Sequence, residues 1–157
     1  RFTMFCHFWL GLAISVAPVG AWVAIREEIS LLSLLLGAAV VFWLIGFDIL
    51  YACMDVEADR ANHLNSIPQR LGVEMALKLA WASHALMVVF LLILCWFSVL
   101  LGWLAGVGVA LVAGLLVYEH SLVNKDDLSK VNMAFFNVNG VISIGLMAIV
   151  IADCIWI

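Results

Sequence analysis

Charged side chains are scarce in this chain, and the few that occur form no pattern that binds nucleic acid. Only 11% of the 157 residues are charged, whereas 67% are hydrophobic, and the mean hydropathy is +1.20. So little polar surface does not cover a globule in water, so the lipid bilayer is the expected solvent. The formal net charge is −4 and the Lys and Arg residues are scattered, so we expect no nucleic-acid partner.

Cysteine pairs at metal-binding spacing are also absent. The four cysteines form no CxxC or Cys/His pattern, which argues against a zinc site or a disulfide framework. No repeat and no Pro/Gly/Ser-rich linker divides the chain, so a single domain is expected. The sequence begins with Arg1, and its first apolar run has no signal cleavage site. We therefore expect it to be part of a longer protein.

Long apolar runs predict five membrane-spanning helices, and hence an all-α integral membrane bundle. A span needs about 20 apolar residues. No charged side chain occurs between Lys78 and Glu119, and one helix of that length would extend about 60 Å, about twice the thickness of the hydrocarbon layer. Two spans joined by an uncharged turn are therefore predicted in this run. The five predicted spans are residues 5–25, 29–53, 75–97, 101–119 and 133–157.

Positively charged side chains lie almost entirely on one side of this arrangement. Cytoplasmic loops are enriched in Lys and Arg, so we predict that this side faces the cytoplasm across the cell inner membrane. Only Arg26 lies on the other side, and the polar loop 54–73 is therefore cytoplasmic. The cytoplasmic set is Arg1, Arg60, Arg70, Lys78, Lys125 and Lys130.

The stretch DILYACMDVEAD, residues 48–59, contains four carboxylates in an otherwise apolar chain. Asp55 and Asp59 are four residues apart, so on a continuing helix they share a face about 5 to 6 Å apart. Tyr51 and Asp48 extend this stripe into the apolar run, where an aspartate indicates a functional site. Carboxylates so close repel unless a cation lies between them, and Mg²⁺ prefers oxygen ligands. A solvated acidic face at a helix end is the alternative.

The segment NSIPQRLG, residues 65–72, follows the acidic stripe. Pro68 marks a break before the third span, and Gly72 permits a tight turn. Arg70 can donate a planar pair of hydrogen bonds to phosphate, although an Arg extending to the interface at a helix entry explains the same residue. Lys130, just before the last span, is a further candidate phosphate donor, but its acidic neighbours can pair with it.

Other polar side chains within the spans are expected to be structural. Asn137 and Asn139 point in different directions, and at least one should form a hydrogen bond to a neighbouring helix. Asp153 is assigned to the outer interface, away from the acidic loop. Three histidines are interpreted as single interior imidazoles and not as a cluster. They are His7, His84 and His120.

The pattern DxxYxxxDxxxD followed by SIPxRLG resembles the second aspartate-rich motif of the UbiA superfamily of intramembrane aromatic prenyltransferases. Its opening RFTMFCHFWLG and the FFNVNG at 135–140 are similar to segments of the 4-hydroxybenzoate polyprenyltransferase branch. The resemblance implies a nine-helix domain of which this chain supplies helices five to nine. The first family motif, NDxxDxxxD, does not occur here, so this C-terminal portion is expected to be inactive alone.

The resemblance also implies roles for individual residues. Asp55 and Asp59 would bind Mg²⁺, which in turn binds the diphosphate of a polyprenyl donor. Asp48 and Tyr51 would line the catalytic cavity beneath, and Arg1 would bind diphosphate or the aromatic carboxylate. The implied acceptor is 4-hydroxybenzoate, in quinone biosynthesis, or 1,4-dihydroxy-6-naphthoate in a menaquinone route. The residues assigned to substrate binding are Arg1, Ser66, Arg70 and Lys130.

Two readings from other classes remain open at this point. The carboxylates could bind a coupling ion or proton in a transporter or channel, which discontinuous helices near the midplane would favour. The chain could also be a non-catalytic assembly factor with a degenerate helix bundle. The intact DxxYxxxDxxxD spacing counts against the second of these.

Overall fold

The structure is a computed structural model that describes residues 3–156. Five of its helical stretches are long and apolar enough to cross a membrane, which confirms the predicted number of spans. Large apolar side chains such as Trp9, Trp96 and Trp103 are exposed, which a membrane protein tolerates because lipid covers them. The helices are α1 (Cys6–Arg26), α2 (Leu31–Ala52), α3 (Val56–Ala61), α4 (Ile67–Leu71), α5 (Val73–Phe97), α6 (Trp103–Leu122) and α7 (Asn139–Trp156).

Local sequence explains where the second and third spans begin. The Ser33 backbone N–H donates to the Ser30 hydroxyl (3.2 Å) and the Ser30 N–H donates to the Ser33 hydroxyl (3.1 Å), a reciprocal cap that begins α2. Pro68 lies in the first turn of α4, where its missing N–H costs nothing. Gly72 has a φ of 82°, which residues with a Cβ rarely adopt, and it separates α4 from α5.

The long uncharged run forms two helices, as predicted. The first ends at Phe97 and the second begins at Trp103, so residues 98–102 make the turn. α6 continues to Leu122, beyond the predicted end at residue 119. The prediction ended the span at its first charged residue, but Glu119 is fully buried among the helices and therefore does not mark the membrane surface.

Two segments depart from α-helical geometry. A 3₁₀ turn, Cys53–Asp55, follows α2 and leads directly into α3. The acidic stripe therefore does not lie on one uninterrupted α-helix, and the tighter turn rotates Asp55 relative to Tyr51. A π-helical segment, Met133–Val138, precedes α7. We call the end of the bundle formed by residues 53–72, where α5 begins and α6 ends, the acidic end.

α2 packs against both α1 and α5, and α6 packs against α5 and α7. Buried apolar residues of α2 and α5 meet near the acidic end, where Ile49 and Leu50 are almost completely buried. A second apolar group joins α5, α6 and α7 through Met87, Val112 and Ile142. Small residues let the helices approach closely, and the van der Waals packing that results holds membrane helices together.

Asp153 lies at the end of the bundle opposite the acidic end, in agreement with its assignment, but its side chain is buried. Its carboxylate accepts a 2.6 Å hydrogen bond from the backbone N–H of Gly102, at the start of α6. Gly102 has no side chain with which to cap that helix, so a residue of α7 supplies the acceptor. This contact holds the beginning of α6 against the end of α7.

Gly11→Val is expected to destabilise the contact between α1 and α2. A Cβ at Gly11 would lie 2.8 Å from the backbone oxygen of Val41, so the helices would have to separate. Forcing extra atoms into a packed site costs about 1–3 kcal/mol, measurable as a lower unfolding temperature in detergent. Gly20→Val is the matched control, because a Cβ at Gly20 meets nothing within 4 Å. Equal unfolding temperatures for the two variants would contradict this assignment.

Candidate functional site at the acidic end

The two predicted metal ligands lie at the end of α2, outside the apolar part of the bundle. Asp55 is exposed at the end of the 3₁₀ turn, and Asp59 is half-buried in α3. Among residues 3–156, neither carboxylate forms an ion pair with Lys or Arg. Their negative charge is therefore not neutralised by this part of the protein.

Ser66 holds Asp59 in place. The Ser66 hydroxyl donates to Asp59 Oδ2. Ser66 immediately precedes α4 and is itself buried. This contact ties the start of α4 to α3 and leaves the second carboxylate oxygen of Asp59 for another partner. The predicted substrate-binding residue Ser66 thus contacts a predicted metal ligand.

Asp48 is paired with His7, a contact that joins α1 to α2. The His7 Nδ1 lies 2.7 Å from Asp48 Oδ2, and the Ile67 backbone N–H points at His7 Nε2 over 3.4 Å. Because Nε2 accepts from an N–H, it carries no proton, so Nδ1 is the donor to the carboxylate. One buried ring therefore links the beginning of α1, the end of α2 and the beginning of α4.

Arg70 lies on the exposed side of α4. Its Nε and one terminal nitrogen donate to the side-chain oxygen of Asn65, at 2.9 and 2.6 Å. This acceptor is neutral, so the charge of the guanidinium is not cancelled by the contact. Arg70 borders an open cavity of about 460 Å³ that Arg60 and His63 also line. An uncancelled positive charge therefore lies at the edge of this cavity.

The remaining predicted phosphate donors are not drawn into this group by the described contacts. Arg1 lies outside the described residues. Lys130 is exposed and, among residues 3–156, forms no ion pair within 4.0 Å. Ser129 donates to Asp127 and lowers the pKa of that carboxyl, with a smaller contribution from the charge of Lys130. The role of Lys130 in phosphate binding stays a prediction.

Aromatic side chains continue from the acidic end into the bundle. Tyr51 lies on α2 with its ring centroid 4.5 Å from that of Phe135 in the π-helical segment. Phe47, one turn further in, meets Phe135 edge to face at 5.2 Å and Trp43 at 5.7 Å. We call Trp43, Phe47, Tyr51 and Phe135 the aromatic wall. It connects the predicted catalytic residue Tyr51 with the interior of the bundle.

An apolar crevice begins where the aromatic wall ends. A cavity of about 490 Å³ lies between α1, α2, α5 and α7, with Trp43 in its lining. A second cavity of about 260 Å³ shares four of its lining residues and therefore lies next to it, towards the far end of the bundle. The shared residues are Leu36, Leu91, Leu146 and Val150.

A buried polar cluster that the sequence analysis missed lies among α2, α5, α6 and α7. Asn139 donates to Glu119 Oε1 at 2.9 Å and accepts from Trp43 Nε1 at 2.9 Å, which confirms the expected interhelical hydrogen bond. His84 and His120 were interpreted as single imidazoles, but His84 Nδ1 lies 3.0 Å from His120 Nε2. They are 36 residues apart, and only helix packing brings them together. In the sequence, the feature that could have indicated this cluster is Glu119, because acidic residues inside a membrane span are rare.

Together these features define a helical membrane protein with carboxylates at one end of an aromatic-lined, apolar crevice. Residues 1–141 match the model of the UbiA prenyltransferase family. The chain therefore belongs to the UbiA prenyltransferase family, and the predicted resemblance is confirmed.

Curated relatives agree with this assignment. The chain is 32% identical over 139 residues to a 4-hydroxybenzoate octaprenyltransferase of Marinobacter nauticus, a match that covers 88% of this chain and 47% of that protein. A protein of the same description from Cupriavidus necator is 29% identical over 86% of this chain and 47% of its own length. A 4-hydroxybenzoate solanesyltransferase of Synechocystis is 30% identical over 60% of this chain and 36% of its own.

A solved structure has the same fold. The apo structure of a UbiA homologue from Aeropyrum pernix K1 superposes with a TM-score of 0.81 at 32% identity, over 98% of this chain and 57% of that one. The all-helical bundle predicted from the sequence is thereby confirmed. The chain spans about half the length of the curated relatives it matches.

Proposed function

We propose that this chain supplies the second half of an intramembrane prenyltransferase, which transfers a polyprenyl group from a polyprenyl diphosphate to an aromatic acceptor. The observation that carries the proposal is that Asp55 and Asp59, unpaired with Lys or Arg within residues 3–156, lie at the end of the bundle from which the aromatic wall leads inward to an apolar crevice. A charged diphosphate and an apolar tail require neighbouring sites of these two kinds. The first half of the active site would come from the rest of the protein.

The donor set suits Mg²⁺ chemically. Carboxylate oxygens are its preferred protein ligands, and it is commonly held by one or two carboxylates together with water and substrate phosphates. The described residues contain no group of three or more His, Cys, Asp or Glu that could hold a metal ion. Asp55 and Asp59 would therefore hold Mg²⁺ jointly with the diphosphate and with ligands from outside this chain. When bound, the ion would neutralise the charge that develops on the departing diphosphate.

The chain's own residues would position the substrates. Ser66 orients one oxygen of Asp59, and His7 orients Asp48. The donor's carbon–oxygen bond breaks with its electron pair leaving on diphosphate, the aromatic ring carbon forms the new carbon–carbon bond, and the ring proton is lost. The faces of aromatic rings attract cations, so the aromatic wall would stabilise the allylic cation. The apolar crevice would receive the tail and exclude water from the cation.

Two details complete the proposal, the acceptor by analogy with the named relatives and the orientation from the charges of the loops. The acceptor is proposed to be 4-hydroxybenzoate, with 1,4-dihydroxy-6-naphthoate as the alternative. The acidic end is proposed to face the cytoplasm across the inner membrane, because the loops on that side carry most of the Lys and Arg.

The alternative of a transporter predicts helices that are broken near the midplane of the membrane. In this structure α1, α2, α5 and α6 each run unbroken through their spans.

The test is prenyl transfer by the full-length protein in lipid vesicles. Given a polyprenyl diphosphate, an aromatic acid and Mg²⁺, it should form a prenylated product, and chelation with EDTA should abolish product formation until Mg²⁺ is restored. Assays with each of the two aromatic acids identify the acceptor. Activity that survives chelation would overturn the proposed role of Mg²⁺. If neither acid gave a product, both proposed acceptors would be overturned.

A further inference from the structure

Glu119 is fully buried in the bundle, where its carboxyl group lies among polar groups of four spans. Its side chain is 0% exposed and that of the neighbouring His84 is 2% exposed. The proposed prenyl transfer uses neither residue. Carboxylates within spans are rare because the hydrocarbon layer disfavours their charge, so this position requires an explanation.

The hydrogen bonds of Glu119 leave one of its oxygens without a partner. Oε1 accepts from Asn139, but Oε2 has no hydrogen-bond partner among the described residues. The closest basic atom is His84 Nδ1, at 3.8 Å. That distance is too long for a hydrogen bond, and His84 Nδ1 instead lies 3.0 Å from His120 Nε2. Glu119 is thus close to the His84 imidazole without a hydrogen bond to it, and His84 in turn contacts His120.

The groups that face Glu119 from each packed element supply no positive charge at bonding distance. On α7 the group that contacts Glu119 is the Asn139 amide, and on α2 the Trp43 indole bonds to that amide. Neither of these side chains titrates. On α5 the group near Glu119 is the His84 imidazole. On α6 itself, the residue that follows Glu119 is His120, whose ring contacts His84. Within residues 3–156 no Lys or Arg pairs with Glu119. An unpaired buried carboxylate is strongly disfavoured, whereas a neutral carboxylic acid is not.

From this geometry we propose that Glu119 is a proton-binding site in the membrane interior, occupied at neutral pH, with the His84–His120 pair as the group through which its proton exchanges. The protonated carboxyl keeps Oε1 as the acceptor for Asn139 and carries the hydrogen on Oε2, on the side of His84 Nδ1. The ligand of this site is a proton, and no metal is required.

A groove between α5 and α6 gives the site a route to water. A cavity of about 210 Å³ is lined by both His84 and His120. A second cavity of about 590 Å³ lies beside it at the acidic end, and the two share Trp81, Val117 and His120 in their linings. The charged residues of the outer cavity are Glu74, Lys78 and Lys125. Protons would therefore enter from the acidic end along this groove.

Infrared difference spectroscopy of the full-length protein in lipid nanodiscs tests the proposal. At neutral pH the protein should show a C=O band of a protonated carboxyl that shifts on transfer to D₂O and is absent in Glu119→Gln. Asp153→Asn is the control, because it removes another buried carboxyl at the far end of the bundle and should leave the Glu119 band unchanged. If Glu119→Gln does not fold, Glu119→Asp serves instead and should shift the band. A spectrum without a band that depends on residue 119 would overturn the proposal.

The route is tested by the rate of deuterium exchange at that band. Ala113→Leu adds bulk to the lining of the inner cavity and should slow exchange several-fold. Ala110→Leu makes the same change at an exposed position of α6 outside that lining and should not slow it. Equal exchange rates in the two variants would overturn entry through the groove, while the band itself would still report whether Glu119 holds a proton.

Discussion

Asp59→Asn in the full-length protein should abolish magnesium-dependent prenyl transfer while leaving the protein folded in the membrane. The amide keeps an oxygen that can accept from the Ser66 hydroxyl, so the contact between α3 and α4 is preserved and only the charge is lost. Losing metal-assisted stabilisation of the leaving group would cost about 4 kcal/mol, or roughly a thousandfold in kcat. Asp55→Asn should have a comparable effect, because the same proposal assigns Asp55 to the same ion.

The control for both variants is Glu57→Gln. Glu57 is an exposed carboxylate of the same short helix, between the two aspartates in sequence, and has no assigned role. If all three variants lose activity equally, general electrostatics and not a metal site would explain the result. Near-normal turnover in both aspartate variants would remove the metal-ligand assignment. Turnover, the Mg²⁺ dependence of the rate and the amount of protein in the membrane should be measured together.

The membrane spans could be predicted from the sequence because the bilayer imposes a fixed length on apolar helices. The break between α5 and α6 was found in the same way, since one helix through the uncharged run would be too long. The sequence does not predict the helix end at Leu122, because a charged residue such as Glu119 is expected at the membrane surface. Burial of that carboxylate depends on Asn139 of α7, which hydropathy along the chain does not reveal.

The candidate site could be predicted only where its residues are close in sequence. Asp55 and Asp59 form a local pattern, and family resemblance adds their proposed role. The contact between His7 and Asp48 joins residues 41 positions apart, and that between His84 and His120 joins residues 36 apart. The first pair depends on how α1 packs against α2, and the second on how α5 packs against α6 and α2; at Gly46 of α2, for example, a Cβ would lie 2.1 Å from the His84 ring. Nothing local in the sequence indicates that fit.

His7→Phe should lower kcat/KM for prenyl transfer by about tenfold to a hundredfold, the effect of losing a hydrogen bond to a charged group worth about 1.5–3 kcal/mol. The ring of Phe occupies similar space but neither donates to Asp48 nor accepts from the Ile67 N–H. Asp48 would then lose the donor that fixes its orientation, and α4 would lose one of its contacts with α1.

Two further substitutions at His7 separate these consequences. His7→Asn places an amide donor near the position of Nδ1, so it can still hold Asp48, but it is too short to reach Ile67. His7→Gln places an amide oxygen near the position of Nε2, so it can accept from the Ile67 N–H, but it leaves Asp48 without its donor. Because the proposed chemistry depends on the orientation of Asp48, His7→Asn should retain more activity than His7→Gln. The reverse order would show that His7 acts by holding α4, and equal activity of all the variants would show that neither contact matters for turnover.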